Sequence, residues 1–190
     1  MPLNHTSQYT ELTDAQYIVL GKAVVEWANV EQLLGVLLAR LLATPDFLAR
    51  TFTDSLSAFR LQEAIQEALE IHRVRYGQRL VSEELLNEIS EVNQAVTALR
   101  AMRNKIAHFC WCRQTDDTLF GTSFSGGIPT QKSERKNSAV LSLTELAELN
   151  SSAFALVERL MQIVEKIPEV QEETLLTLRS SGTAQKRAAP

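Results

Sequence analysis

The chain has 190 residues, 45% hydrophobic and 22% charged, a globular composition long enough for one core and short for two. Seven Gly and five Pro leave little material for a turn-rich all-β fold, so the expected class is all-α, a bundle of four to five main helices. A formal charge of -4 excludes binding nucleic acid by general attraction, which rests on many Lys and Arg contacts to phosphate, and any such site must be local.

Residues 1–13 form a polar leader without the basic-then-apolar order of a secretory signal, so a cytoplasmic location is expected. Thr13-Asp14 offers a helix N-cap, and apolar residues recur at helical spacing from Tyr17 to Leu42 until Thr44-Pro45 stops them. The most apolar stretch, Tyr17 to Ala43, is interrupted by Lys22, Glu26, Glu31, Gln32 and Arg40, which predicts a buried helix and no membrane contact. A short helix follows Pro45 through Phe47 and Leu48. A second long helix runs from about Ser55 to Tyr76 and closes at Gly77. Ser82-Glu83-Glu84 opens the next with acidic residues where the helix dipole favours them, and the stripe Leu86, Ile89, Val92, Val96, Leu99 carries it toward His108.

From Phe109 to Leu141 the period changes. Phe109, Trp111 and Arg113 alternate with Cys110 and Cys112, and Gly121, Gly126, Gly127 and Pro129 break up the residues beyond, which predicts a small β-hairpin or ordered loop before the last long helix. Ser142 and Glu145 have capping-box spacing, and the stripe Leu146, Leu149, Phe154, Leu160, Ile163 runs on to Ile167 and Pro168. The helical domain is thus expected over 14–167. Residues 168–190 are a C-terminal extension, with a short helical turn around Leu175 and a largely disordered polar end.

Two basic clusters qualify as local phosphate sites, His72, Arg73, Arg75 and Arg79 in one and Lys132, Arg135 and Lys136 in the other. Each reads more simply as a solvated charged face or loop. The segment 101–108 is sharper. Arg103 continues the stripe of Val92, Val96 and Leu99, where an unpaired guanidinium would be costly, so it needs a partner or an anion. Asn104 and His108 are four apart and share a face at the helix end. On the first helix Glu31 shares a stripe with Val24, Trp27, Ala28, Leu34 and Leu38 and is the expected ion partner of Arg103. Glu26 is the weaker candidate, since Lys22 stands one turn before it. A plainer alternative makes Arg103 and His108 a basic pair that caps helix-end carbonyls.

Two cysteines one residue apart cannot frame a secreted disulfide scaffold. In an extended strand His108, Cys110 and Cys112 would point to one side, but no clear fourth ligand accompanies them, so no metal is expected. His5 and His72 read as surface residues. No Gly-rich phosphate loop, His-Glu-x-x-His or Gly-x-Ser-x-Gly occurs, and no cofactor is expected.

The run Arg103-Asn104-Lys105-Ile106-Ala107-His108 resembles the Arg-x4-6-His motif of the HEPN superfamily, in the form Arg-Asn-x-x-Ala-His. Trp27 and Glu31 match the Trp-x-x-x-Glu spacing often found on the first helix of its members, and a hairpin-like insertion before the last helix is also of their kind. The resemblance covers residues 14 to 167 in outline and is close only in the motif. It implies a helical bundle acting as a metal-independent endoribonuclease, a homodimer whose two motifs lie side by side on RNA. Arg103 would hold the scissile phosphate, Asn104 would orient the site, His108 would act as general acid or base, and Glu31 would support Arg103. Imidazole titrates near neutral pH and guanidinium stays charged and grips phosphate oxygens in a fork, so the residue types suit those roles. An inhibitory partner protein and a toxin or defence role are further implications. The alternatives are a catalytically inactive dimerising scaffold or nucleotide- or RNA-binding partner of the same type, and a structural bundle with a chance motif.

Overall fold

The computed structural model describes residues 10–77, 79–123, 138–173 and 177. The elements are α1 (Asp14–Leu41), α2 (Asp46–Thr53), α3 (Ala58–Val74), α4 (Glu83–His108), β1 (Cys110–Arg113), β2 (Thr118–Thr122), β3 (Ser138–Ser142) and α5 (Leu143–Lys166). Among the described residues the chain is mostly helical, with a small antiparallel sheet of order β1-β2-β3 before α5. His5, Gly126, Gly127, Pro129, the Lys132–Arg135–Lys136 cluster, the turn around Leu175 and the polar end lie outside the described residues. Among the described residues no single helix is long and apolar enough to cross a membrane.

The chain forms two compact units, Met1–Val30 with Gln94–Glu158, and Glu31–Asn93 with Arg159–Pro190. In the first, α1 begins with a reciprocal cap. The Gln16 backbone N–H donates to Thr13 Oγ1 at 3.2 Å, and the Thr13 N–H donates to Gln16 Oε1 at 3.0 Å. Gln16 is fully buried, and its Nε2 also donates to the carbonyl of Thr115 at 2.9 Å, which ties the start of α1 to the β1–β2 turn. Leu12, Ala23, Ile106, Trp111, Leu119, Leu141 and Leu146 bury together as this unit's core. The sheet has one strand more than a hairpin needs, because β3 pairs with β2 and sets Leu141 opposite Leu119 on the core face.

Ser142 starts α5 as its spacing predicts: the Glu145 N–H donates to Ser142 Oγ at 3.1 Å, and Glu145 Oε2 accepts from the Ser142 N–H at 2.8 Å. The Ser142 backbone N–H, and then its hydroxyl, hold the Glu145 carboxyl below its ordinary value. A depressed carboxylate contributes stability that is present above its unfolded pKa and is lost as pH falls through the folded one. Glu145→Gln is therefore expected to lower the melting temperature at neutral pH and to converge with wild type on acidification below the usual carboxylate range, as thermal melts against pH will show.

The second unit buries Leu34, Leu37, Leu38, Ile65, Leu69, Leu86, Ile89, Val92, Leu160 and Ile163. Here α1 ends with Thr44 N–H bonded to Ala39 O at 3.0 Å and Ala43 N–H to Arg40 O at 3.1 Å, with Ala43 at φ +48° where glycine is usual. Gly77, at φ +54°, follows the end of α3 as predicted. His72 is not a surface residue. It is 3% exposed, and its Nε2 lies 2.9 Å from the Leu41 carbonyl, so a ring on the inner face of α3 closes the end of α1. Arg73 pairs with Glu83 at 3.2 Å and donates to Asn87 at 2.9 Å. The candidate phosphate cluster is thus broken by burial of its histidine and by an acidic neighbour at the start of α4.

Two stripes also run differently from their expected course. Val24 is 54% exposed and Ala28 is exposed, while Ala23, Trp27 and Val30 face the core. On α5 Phe154 is exposed and Ala153, Leu156 and Val157 are buried instead. Where a helix is apolar nearly all round, periodicity alone does not choose the buried face.

Candidate active site

The last turns of α4 belong to the first unit, and one side of them is fixed by the core. Ile106 is buried, and Trp111 Nε1 from β1 donates to its carbonyl at 3.2 Å, satisfying one of the carbonyls that a helix end leaves over. Phe109 stacks on Trp111 with centroids 5.8 Å apart. Trp111 lies opposite Gly121 in the sheet, and a Cβ at Gly121 would come within 2.6 Å of the indole ring. The absence of a side chain there lets the indole lie flat against β2 and reach back to the helix.

With Ile106 turned inward, helical geometry sets Arg103, Asn104, Ala107 and His108 within an arc of about 140° on the outward side. Asn104 and His108 are exposed, and Ala107 between them is too small to cover either. Arg103 is half-buried rather than fully enclosed. Its guanidinium carbon lies 5.5 Å from the centroid of the Trp27 ring, and its Nη1 donates to Asn104 Oδ1 at 3.3 Å. Trp27 is 3% exposed, so its face is a fixed platform, and a cation held over it gains about 0.5–2 kcal/mol. A guanidinium, an amide and an imidazole are thereby gathered on one helix end, with the charge held by an aromatic plane.

The carboxylates considered as partners of Arg103 lie on α1. Glu26 accepts from Asn29 Nδ2 at 3.4 Å rather than from Lys22, as suits a Lys-before-Glu order that is the weaker one on a helix. Glu31, one turn past Trp27, falls in the second unit, where it is half-buried and lines a cleft of about 500 Å³ with Asp46, Arg50 and Thr53. Arg100, half-buried one turn before Asn104, shares the outward arc. Sequence reasoning missed it, although its i, i+4 spacing from Asn104 is the signal that could have found it.

Cys110 and Cys112 share one face of β1, the former exposed, while His108 is still helical, so the three do not form one extended row. Among the described residues no three His, Cys, Asp or Glu side chains are grouped to hold a metal. No protein-family profile, curated protein or solved structure matches this chain significantly.

Proposed function

We propose that this protein is an endoribonuclease of HEPN type that needs no metal and works as a homodimer. The observation that supports this most is the Arg103 guanidinium laid over Trp27 and bonded to Asn104, on the same outward arc as His108. In the proposed reaction the ribose 2′-oxygen attacks phosphorus, the bond to the 5′-oxygen breaks, and the products are a 2′,3′-cyclic phosphate and a 5′-hydroxyl. Arg103 stabilises the charge that grows on the phosphoryl oxygens, and His108 takes the 2′ proton or gives one to the leaving oxygen. Asn104 holds the guanidinium and offers its amide N–H to phosphate or ribose. Asn104 and His108 stand on open helix surface, so a second surface is needed to exclude water, and a second copy supplies both that surface and a second imidazole.

Cleavage of a mixed RNA pool by the full chain in excess chelator, with cyclic-phosphate ends on the products, is the expected result. Arg103→Ala is expected to lower the rate by about 10²–10³-fold, as removal of a preorganised donor does. Intact RNA after prolonged incubation with wild type, or equal rates for wild type and Arg103→Ala, would remove the proposal.

A further inference from the structure

Within the first unit α1 packs one face on the core and leaves another open. Tyr17, Ile18, Val24 and Val25 are 39–58% exposed, and Gly21 and Ala28 are exposed among them. A Cβ at Gly21 would meet nothing within 4 Å. Ile18, Gly21, Val25 and Ala28 succeed one another at steps of three and four, the spacing of a seam between two helices, and no charged residue interrupts them. A helix apolar on both faces is ordinarily buried on both.

We propose that this seam is a homodimer contact, α1 against α1 of a second copy, antiparallel about a two-fold axis at the level of Ala23. That pairing sets Ile18 opposite the second copy's Ala28 and Val25 opposite its Gly21, so every branched side chain meets a small one. A parallel pair would instead set Gly21 against glycine and Val25 against valine, leaving a gap at one level and crowding at the next. The charges agree with the sizes. Lys22 and Glu26 lie on one flank of the seam, and an antiparallel two-fold brings like flanks together, so Lys22 of each copy meets Glu26 of the other. Within one chain these two do not pair, since Glu26 accepts from Asn29.

The opposite flank, Tyr17 and Val24, adjoins Trp27, on which Arg103 lies. The same two-fold therefore puts both Arg103–Asn104–His108 clusters on one side of the dimer. Only this last consequence rests on the proposed ribonuclease function; the seam stands on its own residues.

The test is sedimentation equilibrium of the full chain, with melts to confirm folding. Wild type is expected to be a dimer at tens of micromolar. Val25→Glu, at an exposed position, is expected to raise the dissociation constant by roughly a hundredfold, since two carboxylates would be driven into the seam. Lys22→Glu and Glu26→Lys are each expected to weaken it by about tenfold, and the double variant to restore it. In a Cys110→Ser, Cys112→Ser background, mixing Gly21→Cys protein with Val25→Cys protein is expected to give an oxidised cross-link that neither gives alone, because only opposed positions come within disulfide reach. A wild-type monomer, an undisturbed dimer of folded Val25→Glu, additive losses in the charge-swap double variant, or cross-linking of each cysteine variant with itself would each overturn the proposal. A dimer that behaves as expected yet leaves RNA intact ends the ribonuclease proposal and not this one, whereas cleavage by a wild-type monomer overturns this proposal and the dimeric form of the other while leaving the cleavage chemistry standing.

Discussion

Replacing His108 with alanine is expected to slow RNA cleavage by about 10²–10⁴-fold, the range a positioned general acid or base supplies. The melting temperature should stay within about 2 °C of wild type, because His108 is exposed on the last turn of α4, and substitutions at such positions rarely change stability by more than about 0.5 kcal/mol. Loss of activity with no loss of fold separates chemistry from support. Imidazole added to the solution should restore part of the rate in His108→Ala and none in Arg103→Ala, since a free base can replace a proton carrier and not a fixed charge. Full cleavage by the His108 variant would show that the imidazole moves no proton in this reaction.

The apolar stripe of α4 predicts a buried Arg103, whereas the side chain is half-buried and its guanidinium lies over the Trp27 ring. Truncation removes, among its contacts, this cation–π interaction of about 0.5–2 kcal/mol. A thermal melt of Arg103→Ala establishes that the variant is folded before its kinetic effect is read.

How far the sequence could be read depended on whether a local signal had one physical meaning. Capping residues did: Thr13, Ser82 and Ser142 each stand at a helix start and accept a backbone N–H there, because a side-chain oxygen before an apolar run has few other uses. Gly77 after α3 and the change of period at Phe109 were equally direct. The outward arc of Asn104 and His108 followed from helical spacing once α4 was known to reach His108. What spacing did not give was which side of an apolar helix turns inward. Val24 and Ala28 read as core because Trp27 did, yet the partners that choose the buried face come from α4, α5 and a sheet distant in sequence. His72 failed for a related reason. Its neighbours Arg73 and Arg75 suggest a solvated helix end, while the acceptor that draws it inward, the Leu41 carbonyl, is 31 residues away. The platform for Arg103 was hidden likewise, since in sequence Trp27 signals only half of a spacing with Glu31.

The largest expected effect on stability comes from Trp111, which joins the sheet to the helix end that carries the site. Trp111→Ala is expected to cost about 3–5 kcal/mol, because a buried indole in the core of the first unit leaves a cavity that the sheet cannot close. Against the roughly 5–15 kcal/mol typical of whole domains, this should shift urea midpoints severely. Trp111→Phe keeps most of the packing and removes only the N–H, so the buried Ile106 carbonyl loses its donor at a cost of about 1–3 kcal/mol. Gly121→Ala acts on the same ring from the other side. Its Cβ would fall 2.6 Å from indole carbons, so the ring must move, at a strain of about 1–3 kcal/mol, and must loosen its hold on the helix. Trp111→Phe and Gly121→Ala should therefore share a signature beyond the melting curve. The Phe109 amide, which donates to the Lys105 carbonyl at 2.9 Å in the final turn, should exchange its hydrogen faster in both, while amides in the middle of α3 keep their protection. Cleavage should fall with the fraying of that turn, although His108 itself is untouched. Equal protection at Phe109 in wild type and both variants would mean that Trp111 supports the core without positioning the helix end.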